Sequence, residues 1–325
     1  MDYLSIIKRP IEGDLNAFSA FFGDAFSHSN GLLASVLSHI KKRTGKQMRP
    51  ILILLLAKNY GTISNVTLRS AVGLELLHTA SLVHDDVVDD SEERRGQKSV
   101  NAEYNNKVAV LVGDYLLSTA LLNVSLTNNH LIVQILAELG RTLARGEILQ
   151  LSNIANQDIS EDVYYQVIKQ KTAALFESCC AIAALSCDVS EEQICKAKKF
   201  GQDLGIIFQI KDDIFDYFDS EEIGKPTGND MSEGKLTLPA IYALRSTNNE
   251  DMYKIALKVK SHDVTQGEIN ELVAFTKANG GIEYAEKVMS ELHESCNSFI
   301  RDNITDKDIQ ESLYKYVEFV IQRTK

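Results

Sequence analysis

The chain has 325 residues, a formal net charge of −11, four prolines and five cysteines. Its acidity excludes a nucleic-acid partner, because a phosphate backbone needs a basic face. It is long enough to bury a large core without disulfides. The cysteines (Cys179, Cys180, Cys187, Cys195, Cys296) are odd in number and lack paired metal-ligand spacing, so they read as reduced core residues.

No linker divides residues 1–325, no proline interrupts a strongly periodic segment, and no sustained period-two alternation occurs. The expected fold is therefore all-α, a single-domain antiparallel helix bundle. Met1 to Leu15 holds no apolar signal region, and the longest aliphatic run, Ile51 to Ala57, is too short to cross a bilayer. A cytoplasmic protein with no transmembrane segment is expected.

Residues 1 to about 42 read as two amphipathic helices parted near Gly23 to Asn30, with Ser27 or Ser29 placed to cap the second. Phe18, Phe21, Phe22 and Phe26 recur near helical spacing and read as a packing face. A basic turn follows, Lys41 to Pro50. Gly45 permits a tight bend, and Lys46 and Arg49 fall about one turn apart at a helix start, where exposed N–H groups favour anions. Alone, such a turn is more often a solvated loop.

The apolar run Ala71 to Val83 then ends in His84-Asp85-Asp86-Val87-Val88-Asp89-Asp90. Asp85 and Asp89, four apart, share a helical face, with Asp86 on its flank. Carboxylates crowded at a helix C-terminus repel one another and oppose the dipole, so the arrangement costs stability unless a cation is present. Mg²⁺, held by one or two carboxylates and completed by water and phosphate oxygens, is the cation that suits it. His78, seven residues before Asp85, lies within about 20° of it on the helical wheel. Arg94 and Arg95 are either salt-bridge partners of Glu92 and Glu93 or planar forks for phosphate, and a neighbouring metal site favours the second.

Asn101 to Gln157 gives two more apolar helices broken at Thr127-Asn128-Asn129. Gly113 and Asp114 sit mid-pattern, where close helix packing and a functional role both remain open. A helix around Tyr164 to Leu185 carries Lys169, Lys171 and Thr172. Far from the first acidic cluster, Gly205 to Asp216 repeats its design, closing an apolar helix with Asp212, Asp213 and Asp216 and placing Gln209 near the face of Asp212. Two such motifs exceed chance even in an acidic chain. On helices facing each other across a bundle, they would converge on one polar mouth above an apolar shaft, where metal ions could clamp a diphosphate. Asp219 to Gly234 reads as a polar loop, and Arg323-Thr324-Lys325 as a frayed, solvated end, with a return to the polar mouth as the alternative.

Taken in order, the motifs are Gly45-Lys46-x-x-Arg49-Pro50, Leu77-His78, Ser81 to Asp89, Arg94-Arg95-Gly96, Gly113-Asp114-Tyr115-Leu116, Gly146-Glu147, Lys171-Thr172, Gln209 to Tyr217, Gly224 to Gly228 with Asp230, and Glu233-Gly234-Lys235. Over nearly its whole length the chain resembles the trans-isoprenyl (polyprenyl) diphosphate synthase family, in its long-chain, octaprenyl-synthase-like branch. The resemblance implies the isoprenoid synthase fold, a bundle around a central apolar cavity, and a Mg²⁺-dependent homodimer. It implies that Gly45, Lys46, Arg49, His78 and Arg95 seat isopentenyl diphosphate. Arg94, Lys171, Lys225 and Lys235 would hold an allylic diphosphate, and Asp85, Asp86, Asp89, Asp212, Asp213 and Asp216 would serve the metal. Thr172 and Gln209 become dipoles near a carbocation, and the loop after Asp219 becomes a lid against water.

Ala80 and Ser81 are small where short-chain relatives carry a bulky aromatic, one turn below Asp85. The resemblance thus points to head-to-tail condensation into a medium or long all-trans polyprenyl diphosphate, as in quinone side chains, with Leu74, Leu77 and residues of the helices after Asn106 as candidates for the cavity floor. Thr44 and Gln47 depart from the more usual Gly and Arg, which weakens the isopentenyl seat. The alternatives are a short-chain farnesyl or geranylgeranyl synthase and a non-catalytic subunit of a heteromeric synthase. Such subunits typically lose an aspartate motif, and both are complete here. A terpene cyclase would pair one Asp-rich motif with a differently patterned one.

Overall fold

The computed structural model describes residues 3–42, 45–94, 96–156, 158–218 and 227–323. The chain falls into two compact units, one of Met1–Arg141, Leu175–Gly201 and Ile300–Tyr316, the other of Thr142–Ala174, Gln202–Phe299 and Val317–Lys325. The expected all-α architecture is met, apart from one two-residue ladder.

In the first unit, α1 (Tyr3–Lys8) passes through a 3-10 turn, Arg9–Ile11, into α2 (Glu12–Ala25). Pro10 has no N–H to donate, which accounts for a break the periodicity alone does not reveal. α3 (Gly31–Lys41) starts from the extended Asn30, so the cap expected of Ser27 or Ser29 is not used; the Ser27 hydroxyl donates back to the Gly23 carbonyl at 3.3 Å. In α4 (Met48–Tyr60), every residue from Ile51 to Ala57 is fully buried, as a helix apolar on all sides must be. α5 (Asn65–Val88) begins with a reciprocal cap in which Ser64 and Thr67 exchange side-chain-to-backbone hydrogen bonds.

Beyond α5, β1 (Glu93–Arg94) pairs antiparallel with β2 (Gln97–Lys98), turning at Gly96 with φ +72°. A ladder this short carries no alternation to read. α6 (Val100–Glu103) leads into α7 (Asn106–Ser125), which lies along α5 and buries Ala109, Val112, Leu116, Ala120 and Val124. Its other side exposes Val110, Leu111, Leu121 and Leu122. Among the described residues, α7 is the one helix long and apolar enough, by length and composition alone, to cross a membrane, a test that core helices of soluble proteins also pass.

Gly113 leaves room for the His84 ring of α5 against α7. A Cβ there would lie 2.1 Å from His84 Nε2, whose ring also meets the Val110 carbonyl at 3.1 Å. Close packing is thus observed at this position. Gly113→Ala is expected to cost about 1–3 kcal/mol, read as a lower midpoint in urea at unchanged slope.

The helices α8 (His130–Ala155), α10 (Ala174–Leu185), α11 (Glu191–Phe215), α16 (Gly281–Asn303) and α17 (Lys307–Gln322) contribute residues to both units. The second unit adds α9 (Glu161–Ile168), α12 (Asn229–Ser232), α13 (Leu238–Thr247), α14 (Glu250–Lys260) and α15 (Gln266–Ala278). The predicted helix around Tyr164 to Leu185 is α9 and α10 joined by a π-helical turn, Lys169–Ala173. Such turns mark helices distorted for a local purpose. The five cysteines carry no disulfide; Cys179, Cys180 and Cys296 are buried as expected, Cys187 is partly buried, and Cys195 is exposed.

Candidate active site

In the first unit, α5 carries His78, Ala80, Ser81, Asp85 and Asp86, and Asp89 closes its last turn by donating its N–H to the Asp85 carbonyl at 2.8 Å. No basic residue lies within that turn itself. Asp86 is buried, and its Oδ1 accepts from Arg94 Nε at 2.6 Å. Arg94 therefore answers neither Glu92 nor Glu93, and its Nε is taken by the middle carboxylate. Asn101 donates to the Asp86 carbonyl at 3.1 Å and fixes the chain after the motif. His78 and Ala80 are buried; the Ser81 hydroxyl, half-buried, donates to the His78 carbonyl at 2.9 Å.

Gly45 and Lys46 are exposed. Gln47, one of the two departures from the resemblance, holds a left-handed conformation, φ 55°, as the residue entering α4. Arg49 is half-buried with its guanidinium 5.6 Å from the Phe176 ring centroid. Arg95 and Lys225, both expected to bind diphosphate, lie outside the described residues.

In the second unit, the second aspartate motif ends α11, and each of its carboxylates has a different partner. Asp212 Oδ1 accepts from Arg323 Nη2 at 2.6 Å, and the same nitrogen donates to the Phe208 carbonyl at 2.8 Å. The Arg323 guanidinium stacks 3.6 Å from the Phe208 ring centroid, and its side chain is 9% exposed. The solvated end expected at Arg323 is instead docked, because an aromatic face and an anion offer a guanidinium more than water does. Thr324 and Lys325 lie outside the described residues. Asp216 accepts the N–H groups of Asn229 (2.9 Å) and Asp230 (3.1 Å) and so anchors the start of α12.

Asp213 is buried and both its oxygens are used: Oδ1 accepts from Gln209 Nε2 at 2.9 Å, Oδ2 from the Tyr164 hydroxyl at 2.6 Å. Burial pushes its carboxyl well above the usual range, against the pull of those two donors. Burial, then the charge of Asp216, raises Asp230 to about 7, with Lys235 opposing. Thr172 donates to Gln209 Oε1 at 2.7 Å, which brings the two expected dipoles together. Beside them Lys171 pairs with Glu147 and donates to Gln150 Oε1 at 3.1 Å. Gly146 makes this possible, since a Cβ there would fall 2.8 Å from Lys171 Cγ. Lys235 pairs with Glu233 at 2.6 Å. Lys171, Thr172, Gln209, Asp213, Tyr164 and Lys235 line one cavity of about 210 Å³ within this unit.

Sequence reasoning gave no role to Tyr164, Glu147 or Gln150, and for Arg323 preferred the solvated end to the docked one. Gly146-Glu147 stood among the motifs without a role, and its glycine was the available signal.

Among the described residues, no three metal-ligating side chains are gathered around a common point. The donor set still fits a hard cation. Mg²⁺ takes few protein carboxylates and completes its shell with phosphate oxygens and water. Here Asp85 and Asp89 lie one turn apart at a helix end whose last turn holds no basic residue, and Asp212 pairs with the Arg323 guanidinium.

A helical fold with two aspartate-closed helices, a cradled lysine and a threonine–glutamine pair defines an all-α prenyltransferase. A sequence model of the polyprenyl synthetase family matches residues 30–276. The all-trans-nonaprenyl-diphosphate synthase (geranyl-diphosphate specific) of Rhodobacter capsulatus is 36% identical over 293 residues, 90% of this chain and 89% of that protein. Among solved structures, a geranylgeranyl pyrophosphate synthase from Bacteroides thetaiotaomicron is 50% identical with a TM-score of 0.87, covering 99% of this chain and 100% of its own. A decaprenyl diphosphate synthase from Rhodobacter capsulatus is 31% identical with a TM-score of 0.90, covering 99% of each chain. The chain belongs to the polyprenyl synthetase family, and it is a polyprenyl diphosphate synthase, a prenyltransferase.

Proposed function

We propose that this synthase condenses isopentenyl diphosphate head-to-tail onto an allylic diphosphate in repeated cycles, making a medium or long all-trans polyprenyl diphosphate of the kind used for quinone side chains. The observation that carries the reading is the run of hydrogen bonds from Thr172 through Gln209 to Asp213 beside the clamped Lys171. It sets two dipoles next to a fixed ammonium at the end of an aspartate-closed helix. A reaction that separates an allylic cation from a diphosphate needs that combination.

In this reading Asp85, Asp89 and Asp212 hold Mg²⁺, with Asp86, Asp213 and Asp216 in support. The metal supplies positive charge to the departing diphosphate. Lys171, kept in place by Glu147 and Gln150, adds a positioned ammonium, with Arg94, Lys225 and Lys235 on the same group. Gly45, Lys46, Arg49, His78 and Arg95 orient isopentenyl diphosphate so that its double bond meets the cation. Proton loss, with the departing diphosphate as acceptor, completes the cycle. The reading treats residues 1–325 as one catalytic domain of a cytoplasmic homodimer. The exposed stripe Val110, Leu111, Leu121 and Leu122 on α7 supports the dimer, since a second copy would cover it.

Small Ala80 and Ser81 below Asp85 favour the long product. The name of the 50% identical relative favours the short-chain alternative, geranylgeranyl diphosphate. Incubation with farnesyl diphosphate, radiolabelled isopentenyl diphosphate and Mg²⁺, followed by thin-layer sizing, separates the two. A product longer than geranylgeranyl diphosphate supports the first, one that stops there the second, and no incorporation overturns both.

Because Arg323 stands where a cation would meet Asp212, Arg323→Gln is expected to lower the Mg²⁺ concentration that half-saturates thermal stabilisation. The expected factor is about two to five, equivalent to an ion pair worth up to ~1 kcal/mol. A titration followed by thermal unfolding, without substrate, checks this.

A further inference from the structure

We infer that Tyr164 is a positioning residue for the prenyl transfer, fixing through Asp213 the direction in which Gln209 and Thr172 present their dipoles; this rests on the function proposed above.

The inference follows from donor and acceptor counting. A side-chain amide has one accepting end and one donating end, so whichever end faces Asp213 dictates the end that faces Thr172. Gln209 gives its Nε2 to Asp213 Oδ1, which leaves Oε1 to accept the Thr172 proton. The Thr172 hydroxyl hydrogen is thereby directed at Gln209, and its lone pairs are turned elsewhere. All of this depends on Asp213 keeping one oxygen aimed at Gln209. A carboxylate torsion is broad and two-fold, so one hydrogen bond does not pin it. The second, from the buried Tyr164 hydroxyl to Oδ2 at 2.6 Å, does.

The backbone is shaped to permit this. Tyr164 and Thr172 are eight residues apart and would be about 80° out of register on a regular helix. The wider π-helical turn Lys169–Ala173 unwinds part of that difference, so that both reach α11, at Asp213 and Gln209 respectively. The resulting chain of four side chains lines the cavity of about 210 Å³ described above, so its dipoles face a space able to hold part of a ligand. None of the sequence motifs contains Tyr164.

The test compares Tyr164→Phe, which removes only the hydroxyl, with Tyr165→Phe, whose hydroxyl stands outside the chain, and with 3-fluorotyrosine at position 164, which keeps the donor. Each is assayed with an allylic diphosphate and with its fluorinated analogue, in which electron withdrawal disfavours the cation. Tyr164→Phe is expected to lower kcat about ten- to a hundredfold, with KM for both diphosphates changed less than about twofold. The fluorinated-to-parent rate ratio should fall below that of wild type, whereas a purely structural loss lowers both rates equally. Tyr165→Phe and the fluorotyrosine protein should keep the wild-type ratio. If Tyr164→Phe does not fold, Asp213→Asn replaces it: a changed ratio supports the inference, and a lower rate at constant ratio overturns it. Wild type that transfers no prenyl group ends the parent reading. An active wild type with Tyr164→Phe unchanged in kcat and ratio overturns this inference alone.

Discussion

Asp85→Asn is expected to lower kcat about 10²–10³-fold while leaving the protein as stable as wild type or slightly more so. The two signs differ for one physical reason. Asp85 and Asp89 sit at the C-terminal end of α5, toward the negative end of its dipole, and no basic residue lies within that last turn. A carboxylate at that end costs about 0.3–1 kcal/mol, which asparagine relieves while filling the same volume. The metal would lose a ligand that holds it, and the departing diphosphate the positive charge that the metal would supply. Steady-state kinetics beside a thermal melt decides the matter: a fall in stability with activity retained would make Asp85 a structural residue. Asp86→Asn, in contrast, should lower stability, because Arg94 would face a neutral partner in a buried place.

Ser81→Phe is expected to shorten the product by several isoprene units with little change in the rate of the first condensation. Ser81 is half-buried, one turn below Asp85, with buried Ala80 beside it. A tail growing from a diphosphate held at the end of α5 must pass this level, and a phenyl ring there fills the passage while leaving the reacting end untouched. Thin-layer sizing of wild type and variant reads the result. An unchanged length means that the tail runs elsewhere.

The helical class, both aspartate motifs and the break at Thr127-Asn128-Asn129 were legible because each is a local pattern, a 3.6-residue apolar stripe ending in acids or turn formers. The ligands of those acids were not. Tyr164 is 49 residues from Asp213, Arg323 is 111 from Asp212, and Glu147 is 24 from Lys171; no spacing rule reaches so far. Arg94 shows the same limit at close range. Two readings were open to it, salt bridge to its neighbours or phosphate fork, and its Nε pairs with Asp86 through a ladder too short to predict. At the termini, Pro10 turned one expected helix into two, and Arg323 left solvent for the Phe208 ring, a choice that only tertiary contacts can make.

The measurement that bears most directly on the whole account is a double-mutant cycle of Asp85→Asn and Asp212→Asn in Mg²⁺-dependent prenyl transfer. Groups that act on one diphosphate are lost as a unit, so the double variant should be no more than about tenfold slower than the worse single one. Losses that multiply, giving a double variant about 10⁴–10⁶-fold below wild type, would mean that the two acidic motifs serve separate tasks, and the account would fail.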